Sequence, residues 1–477
     1  MAKIESNVPL IGREKETKIM KNLLQSKEAE LLAVIGRRRV GKTFLIKKIY
    51  HEQMTFQITG IQHANKREDL FNFVEARNNY FPRSTKMKEP NDWFEAFSQL
   101  KKLIKPKAKK QVLFFDELPW LAIGTMDFLK AFDNFWNSWA VDQNILIVIC
   151  GSSASWMITH VVNNKGGLHN RISQRIHLYS FTLSEADHFL KSRNIVMPKQ
   201  SMIELYMTMG GIPYYLKDVE KGKTSVENIN QLFFGKNALL LNEFQNLYSA
   251  LFSNYEKHIA VIRALGSKKM GLARYEIIEK SGIPSGGALS TILYELEASG
   301  FIQYSHPFGK KSREALYRIT DEYTLFYLSF VEKNAHINDF WLKKYNAPTV
   351  KTWQGYAFEN LCIKHITAIK HALGISGIFT SESSFYHKAD EELEGCQIDL
   401  LIDRGDNAVT LCEIKYYNGA FPLTDAFVKS MQRKRNVFIQ KTKTKKQIFF
   451  TLITAEGVTE NKYAMLIDKC LDASCFF

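Results

Sequence analysis

The feature that most constrains this chain is the octet Gly36-Arg37-Arg38-Arg39-Val40-Gly41-Lys42-Thr43, which fits the pattern GxxxxGK[ST]. It follows the apolar run Leu31-Leu32-Ala33-Val34-Ile35 and opens a helical pattern at Phe44. Strand, glycine-rich loop and helix in that order make a phosphate cradle. The glycines let the backbone curl until successive N–H groups face an anion at a helix N-terminus. Gly36, Arg37, Arg38, Arg39, Val40, Gly41, Lys42, Thr43 and Phe44 are therefore the expected nucleotide contacts. Lys42 is expected to reach the β- and γ-phosphates, and the Thr43 hydroxyl to reach Mg²⁺.

Such a loop needs a second, acidic strand end. Val112-Leu113-Phe114-Phe115-Asp116-Glu117 supplies four apolar residues closed by two carboxylates. Asp116 is expected to hold Mg²⁺ or its water, and Glu117 to polarise the attacking water as general base. The next apolar run, Ile145 to Cys150, ends in Gly151-Ser152-Ser153. Sites in open parallel sheets lie at the carboxyl ends of strands, so Ser152 or Ser153 is placed to sense a γ-phosphate or to orient the water; a helix N-cap is the plainer role. Arg171 and Arg175 follow, either as an arginine finger against transition-state charge or as surface residues.

Up to about residue 220, short apolar strands alternate with longer amphipathic segments: Glu30 to Ile35, Thr55 to Ile58, Gln111 to Phe115, Asn144 to Cys150 and Arg175 to Tyr179. This alternation predicts an α/β fold, a P-loop NTPase parallel sheet covered on both faces. The lysine-rich stretch Lys101 to Lys110 reads as a solvated helix end and loop. Residues 221–330 read as mostly helical. Helices over Lys257–Leu265, Arg274–Lys280 and Gly287–Ser299 precede strands at Phe301–Tyr304 and Ala315–Ile319, with a basic tip between. That is the winged-helix pattern, with Lys310, Lys311 and Arg313 on the wing as backbone contacts. The helix Ser285 to Glu297 has the polar face Ser285, Ser290, Thr291 and Glu295, which is poor in arginine and unsuited to base reading. A winged helix also serves as a protein-packing module. Residues 331–477 return to mixed helix and strand.

At this point the order of residues resembles the AAA+-like prokaryotic ATPases of the STAND and archaeal-ATPase type, relatives of the origin-recognition ATPases. The matching elements are Ile11-Gly12-Arg13-Glu14-Lys15-Glu16, the GRRRVGKT loop, Phe115-Asp116-Glu117-Leu118-Pro119-Trp120, the Gly151-Ser152-Ser153 corner, the twin arginines, and Gly210-Gly211-Ile212-Pro213-Tyr214-Tyr215-Leu216. The last is similar to a GGxPxYL signature in the family's helical lid. The resemblance covers about residues 8–220. It implies ATP rather than GTP, and it implies Ile11 and Gly12 as contacts near the adenine. One branch of the family continues with a winged helix and a smaller α/β domain resembling restriction-endonuclease-like nucleases. Tyr317-Arg318-Ile319-Thr320-Asp321 matches the junction after the wing.

Nucleases of that PD-(D/E)xK type pair an Asp at one strand end with an ExK on the next, often adding a helix Glu. Gln397-Ile398-Asp399-Leu400-Leu401-Ile402 and Thr410-Leu411-Cys412-Glu413-Ile414-Lys415-Tyr416 are strand-like, joined by the turn-rich Arg404-Gly405-Asp406-Asn407. Ile398–Ile402 and Val409–Tyr416 are thus expected to form a hairpin. Alternation puts Glu413 and Lys415 on one face and Ile414 in the core. Asp399 and Glu413 are expected to share Mg²⁺, with Glu359 completing the acidic set and Lys415 positioning the attacking water. Further on, Lys429, Arg433, Lys434, Arg435, Lys441, Lys443, Lys445 and Lys446 form a basic run, suited to phosphate contacts or to a solvated helix face.

With 64 Lys+Arg against 49 Asp+Glu, the formal charge of +15 favours polyanionic partners such as DNA. The N-terminus MAKIESN lacks the apolar core of a secretion signal, and no apolar run approaches the ~20 residues that cross a bilayer. A cytoplasmic protein with no membrane partner is the expectation. The six cysteines are scattered without zinc spacing and read as reduced core thiols. The resulting organisation is an ATPase domain with lid over 1–220, a helical linker and winged helix over 221–330, and a nuclease-like domain over 331–477. Two functions compete: an ATPase coupled to a Mg²⁺-dependent nuclease-like domain, or a nucleotide-controlled DNA-binding or signalling switch. A homo-oligomer, with arginines acting within or across subunits, is compatible with both.

Overall fold

The computed structural model describes residues 9–122, 127–163, 171–310 and 314–477. The chain divides into two compact units, Met1–Ser180 and Phe181–Phe477.

The first unit is built on five strands: β1 (Glu30–Ile35), β2 (Met54–Thr59), β3 (Gln111–Asp116), β4 (Ile145–Gly151) and β5 (Gln174–His177). Their order is β2-β3-β4-β1-β5, and every pairing is parallel. Each expected strand is present within two residues of its expected ends. Leu31, Leu32, Ala33 and Val34 are all fully buried, so β1 lacks the in–out alternation of a half-exposed strand. Parallel strands covered on both faces read as continuous apolar runs for this reason. One face packs on an aromatic cluster in which Trp93 meets Phe128 edge-on at 4.7 Å and Phe97 stacks on Phe135 at 4.8 Å. The helix Lys42–Tyr50 follows β1 directly.

In the second unit, the helices Leu183–Ser192 and Lys199–Met209 carry the stretch expected as a lid. Here Gly210 and Gly211 have distinct physical reasons. Gly210 sits at φ +63°, while a Cβ on Gly211 would lie 1.9 Å from the Phe181 carbonyl oxygen. That carbonyl also accepts from the Tyr206 hydroxyl at 2.8 Å, and the Phe181 N–H donates to Gly211 O at 2.7 Å. Pro213 then opens the short helix Pro213–Leu216, where a missing N–H costs nothing.

Helices Tyr255–Gly266, Arg274–Ser281 and Gly287–Ala298 come next, followed by an antiparallel sheet of β6 (Leu272–Ala273), β7 (Ile302–Ser305) and β8 (Leu316–Ile319) in the order β6-β8-β7. The elements are those the sequence predicted, with β6 added. Lys311 and Arg313 lie outside the described residues.

The last sheet has the order β13-β12-β11-β10-β9, with β9 Thr380–His387, β10 Cys396–Arg404, β11 Ala408–Lys415, β12 Gln447–Thr454 and β13 Lys469–Asp472. β9, β10 and β11 run antiparallel, while β12 and β13 join parallel after the helix Asp425–Thr442. The expected β10–β11 hairpin is present, turning through Asn407 at φ +63°. Four of the six cysteines are buried, and all six are free thiols.

Candidate functional site

The loop after β1 wraps back on its own lysine. Lys42 is buried and its Nζ donates to the carbonyls of Gly36 at 2.7 Å and Arg37 at 3.0 Å. The curl needs left-handed backbone at Arg39 (φ +74°) and Gly41 (φ +91°). At Gly36 a Cβ would stand 2.3 Å from the Leu178 carbonyl oxygen at the exit of β5, so only glycine fits there. Arg13 closes the loop from outside, its Nη2 donating to Tyr179 O at 2.7 Å and reaching Val40 O at 3.5 Å. This places Ile11 and Gly12 beside the loop through their neighbour. The clamp by Arg13 was not foreseen; the left-handed pair Gly12–Arg13 that makes it leaves no mark in hydrophobic patterning.

From the next two strand ends come the acidic groups. The Thr43 hydroxyl donates to Asp116 Oδ2 at 2.9 Å. Asp116 Oδ1 receives the Glu117 N–H at 3.1 Å and the Cys150 thiol at 3.2 Å. Burial, then the Glu117 charge, pushes the Asp116 carboxyl above its ordinary range; Lys42 and the two side-chain hydrogen bonds oppose the rise. Glu117 itself is in left-handed backbone at φ +48°. Its Oε2 accepts from both Ser152 N at 2.9 Å and Ser152 Oγ at 2.8 Å. Of the two serines at this corner, it is Ser152 that faces the acidic pair. The His177 ring lies across the sheet, its pKa lowered by burial and by Lys42.

Mg²⁺ fits the first of these groups on its chemistry. A hard cation that keeps several waters needs one hydroxyl and one nearby carboxylate together with phosphate oxygens. Thr43 and Asp116 supply that pair, and would give the ion a seat from which it offsets phosphate charge.

The two arginines separate. β5 runs parallel to β1 with Arg175 opposite Ala33, and Arg175 Nη2 approaches Val162 O at 3.5 Å. Arg171 precedes β5, beside the start of β1, where Ser173 N–H donates to Leu31 O. The phosphate loop leaves the other end of β1, six strand residues or roughly 20 Å away. Within one chain Arg171 therefore stands at the wrong end of the sheet for a finger.

In the second unit, Glu359 on the helix Pro348–Lys364, Asp399 on β10 and Glu413 and Lys415 on β11 are mutually charge-coupled. Burial and then Asp399 lift the Glu359 carboxyl to about 8, against the pull of Lys415 and Arg318. Burial and then Glu413 raise Asp399. Burial alone would lower Lys415, yet Glu413, Asp399 and Glu359 together hold it above an ordinary lysine. The expected metal set is nevertheless not assembled. Glu413 has one carboxylate oxygen on Lys415 Nζ at 2.7 Å and the other on Lys434 Nζ at 2.6 Å. Asp399 Oδ2 accepts from Ile414 N at 3.1 Å. Among the described residues, no three His, Cys, Asp or Glu side chains form a group able to hold a metal ion. The residues fit a charge-balanced polar cluster better than a cation site, because two ammonium groups already hold the carboxylate that a metal would need.

Sequence reasoning also missed the bulge that aims Asp399. Ile398 pairs with Phe385 and Leu401 with Ser383, so Asp399 and Leu400 together face Ser384. Two residues against one re-aims a side chain. The basic run beyond β11 is largely neutralised within the fold. Lys429 pairs with Asp425, Lys434 with Glu413, Lys441 with Asp390 and Lys446 with Asp403, and Arg433 meets Glu394. On the wing, Lys310 pairs with Glu314 at 3.6 Å. Glu295, on the polar face of the candidate reading helix, is held by His258 at 2.7 Å.

No helix among the described residues is long and apolar enough to cross a membrane. Residues 10–219 match the family model of an ATPase domain predominantly from Archaea. An uncharacterized protein of Methanocaldococcus jannaschii is 23% identical over 441 residues, covering 89% of this chain and 90% of that protein. Among solved structures, a Walker-type ATPase of Pyrococcus abyssi aligns over 67% of this chain and 96% of its own at 16% identity, with a TM-score of 0.49. The ORC2 protein of Aeropyrum pernix aligns over 72% of this chain and 97% of its own at 12% identity, with a TM-score of 0.43. Motif, geometry and family model agree on the N-terminal part of the chain: residues 10–219 carry a P-loop ATPase domain similar to those predominantly from Archaea.

Proposed function

We propose that this protein is a nucleotide-controlled switch, in which the ATP state set at Lys42, Thr43, Asp116 and Glu117 governs DNA binding by the second unit. The observation that carries it is the double hydrogen bond from Ser152 to Glu117. A γ-phosphate that took the Ser152 hydroxyl would release Glu117 toward the attacking water, so one contact has two arrangements and the nucleotide selects between them. The loop N–H groups and Lys42 bind the phosphates, Thr43 and Asp116 seat Mg²⁺, and Glu117 takes the proton from water. Arg171 acts, on this reading, only across subunits of a homo-oligomer. The helices and hairpin of residues 255–319 serve as a winged helix, and the net charge of +15 attracts the DNA backbone.

The test is duplex-DNA binding by fluorescence anisotropy with Mg²⁺ and either ATP or ADP. Glu117→Gln, which binds ATP without turning it over, is expected to show the ATP-state affinity persistently, and Lys42→Ala to show no nucleotide dependence. Identical affinity in every nucleotide state sinks the switch.

A second reading, a nuclease-like domain centred on Lys415, is favoured by the mutual charge coupling of Glu359, Asp399, Glu413 and Lys415. It predicts plasmid nicking that Lys415→Ala abolishes while ATPase activity is retained.

A further inference from the structure

The stretch Lys101 to Lys110 carries six lysines and no acidic residue in ten positions. A solvated turn of that composition would be free to extend and let its like charges separate. The structure holds it in place instead. It joins the helix Trp93–Leu103 to β3, with Ile104 buried and Pro106 restricting the turn. Gln111 Nε2 donates to Lys105 O at 3.0 Å. Asn144 Nδ2 donates to Ala108 O at 3.0 Å and reaches Lys107 O at 3.4 Å. Two of the lysines serve the fold: Lys101 Nζ donates to Ser138 Oγ at 2.7 Å, and the buried Lys110 donates to Glu28 O.

The other four, Lys102, Lys105, Lys107 and Lys109, are exposed, and none of them has an ion pair among the described residues. The basic run after β11 is the contrast, since five of its cations are matched by carboxylates. Glu28 and Glu30 act on the buried Lys110, opposing the fall in pKa that burial causes. Four like charges pinned within eight residues repel one another, and nothing in the fold offsets that repulsion. Beside them runs a solvent-open groove of about 520 Å³, within the roughly 300–1,000 Å³ of ligand clefts, lined by Gln25, Ser26, Lys27, Gln53, Lys109 and Asn144. These residues precede β1, β2, β3 and β4. The groove therefore lies at the amino ends of the strands, roughly 20 Å from the phosphate loop at the other end of β1.

We propose that this edge of the first unit is a docking surface for a nucleic-acid backbone. Lys102, Lys105, Lys107 and Lys109 face successive phosphates, and Gln25, Gln53 and the Ser26 hydroxyl hydrogen-bond the sugar and phosphate oxygens. Contacts of these kinds fix a duplex in place without reading its bases. A lipid surface would call for apolar side chains beside the cations, whereas the groove offers mainly amides, a hydroxyl and ammonium groups. Because the surface lies at the opposite strand ends from the phosphate loop, it is open whether or not a nucleotide is bound. It adds a contact on the first unit to the DNA binding proposed for the second, and it does not require the nucleotide switch.

The experiment uses the full chain without added nucleotide. Fluorescence anisotropy follows a labelled mixed-sequence duplex between about 50 and 200 mM KCl. Each phosphate contact adds about 0.9 to the slope of log affinity against log salt. The quadruple variant Lys102→Gln/Lys105→Gln/Lys107→Gln/Lys109→Gln is therefore expected to flatten that slope by about 3–4 and to weaken binding more than tenfold at about 100 mM KCl. ATP turnover at the parent level shows that the variant is folded. Gln25→Ala/Gln53→Ala is expected to weaken binding severalfold at unchanged slope, because neutral hydrogen bonds release no counterions. A parent that does not bind the duplex overturns the assignment, as does a quadruple variant with the parent's slope and affinity. Phosphatidylserine vesicles that bind the parent but not the quadruple variant, while duplex binding is the same in both, also overturn it and assign the surface to lipid. Nucleotide dependence is read in separate titrations. A flattened slope with equal affinity in ATP and ADP keeps this surface and sinks the switch, and the reverse pair of results does the opposite.

Discussion

At the scale of single residues, the ATP site is a set of strand-end side chains that hold one another. On the proposed reading, Lys42→Ala removes the cation that reaches the phosphates, and Glu117→Gln removes the base. Each is expected to lower ATP turnover by about a hundredfold or more, with Glu117→Gln retaining ATP binding. Steady-state phosphate release and equilibrium ATP binding together separate the two effects. Glu359 gives a prediction of different sign. Its carboxyl is raised from 4.5 to about 8 in the folded chain. Between those values the folded state holds a proton that the unfolded state has lost, so stability falls as pH rises. Glu359→Gln, uncharged throughout, is expected to lose this slope. Its melting temperature should match the parent near pH 5 and exceed it by pH 9, by about 2–4 °C for each kcal/mol released. Parallel melting curves across that range would remove Glu359 from the charge cluster. Such residues differ in how well sequence reveals them. Lys42, Asp116 and Ser152 sit at strand ends that an apolar run announces. Arg13 and Lys434 act through contacts with segments more than twenty residues away, which no local pattern encodes.

At the scale of elements, glycine positions carry much of the architecture. At Gly211 an added methyl would meet the Phe181 backbone at 1.9 Å, where no flexible side chain can yield. Gly211→Ala is expected to cost about 1–3 kcal/mol or more, read as an earlier denaturation midpoint with unchanged slope. Gly222→Ala is the comparison, because its Cβ meets nothing within 4 Å; only the strain of its positive φ remains. The five strands of the first sheet and the β10–β11 hairpin were legible because burial on both faces, or a Gly-Asp-Asn turn, writes itself into a few consecutive residues. β6, with two residues, and β9, with a half-exposed pattern, were not. The bulge at Asp399–Leu400 was also hidden, since register depends on the partner strand and not on the strand that bends.

At the scale of the whole molecule, two compact units predict two unfolding events. Mg²⁺ with ATP at a hundred times its dissociation constant is expected to stabilise the N-terminal event by about 2.7 kcal/mol, to leave the other unmoved, and to shift neither in Lys42→Ala. Differential scanning calorimetry with and without nucleotide reads this directly. The parallel order β2-β3-β4-β1-β5 also has a consequence for synthesis. β1 lies between β4 and β5 in its sheet, yet both of these strands come more than a hundred residues later in the chain. At elongation rates of about 5–20 residues per second, the first-made strand waits roughly 5–20 s for a neighbour. Through that interval the nascent Leu31–Ile35 segment is an apolar ribbon without either of its neighbours, and the phosphate loop that leaves it has no β4 or β5 end to close against.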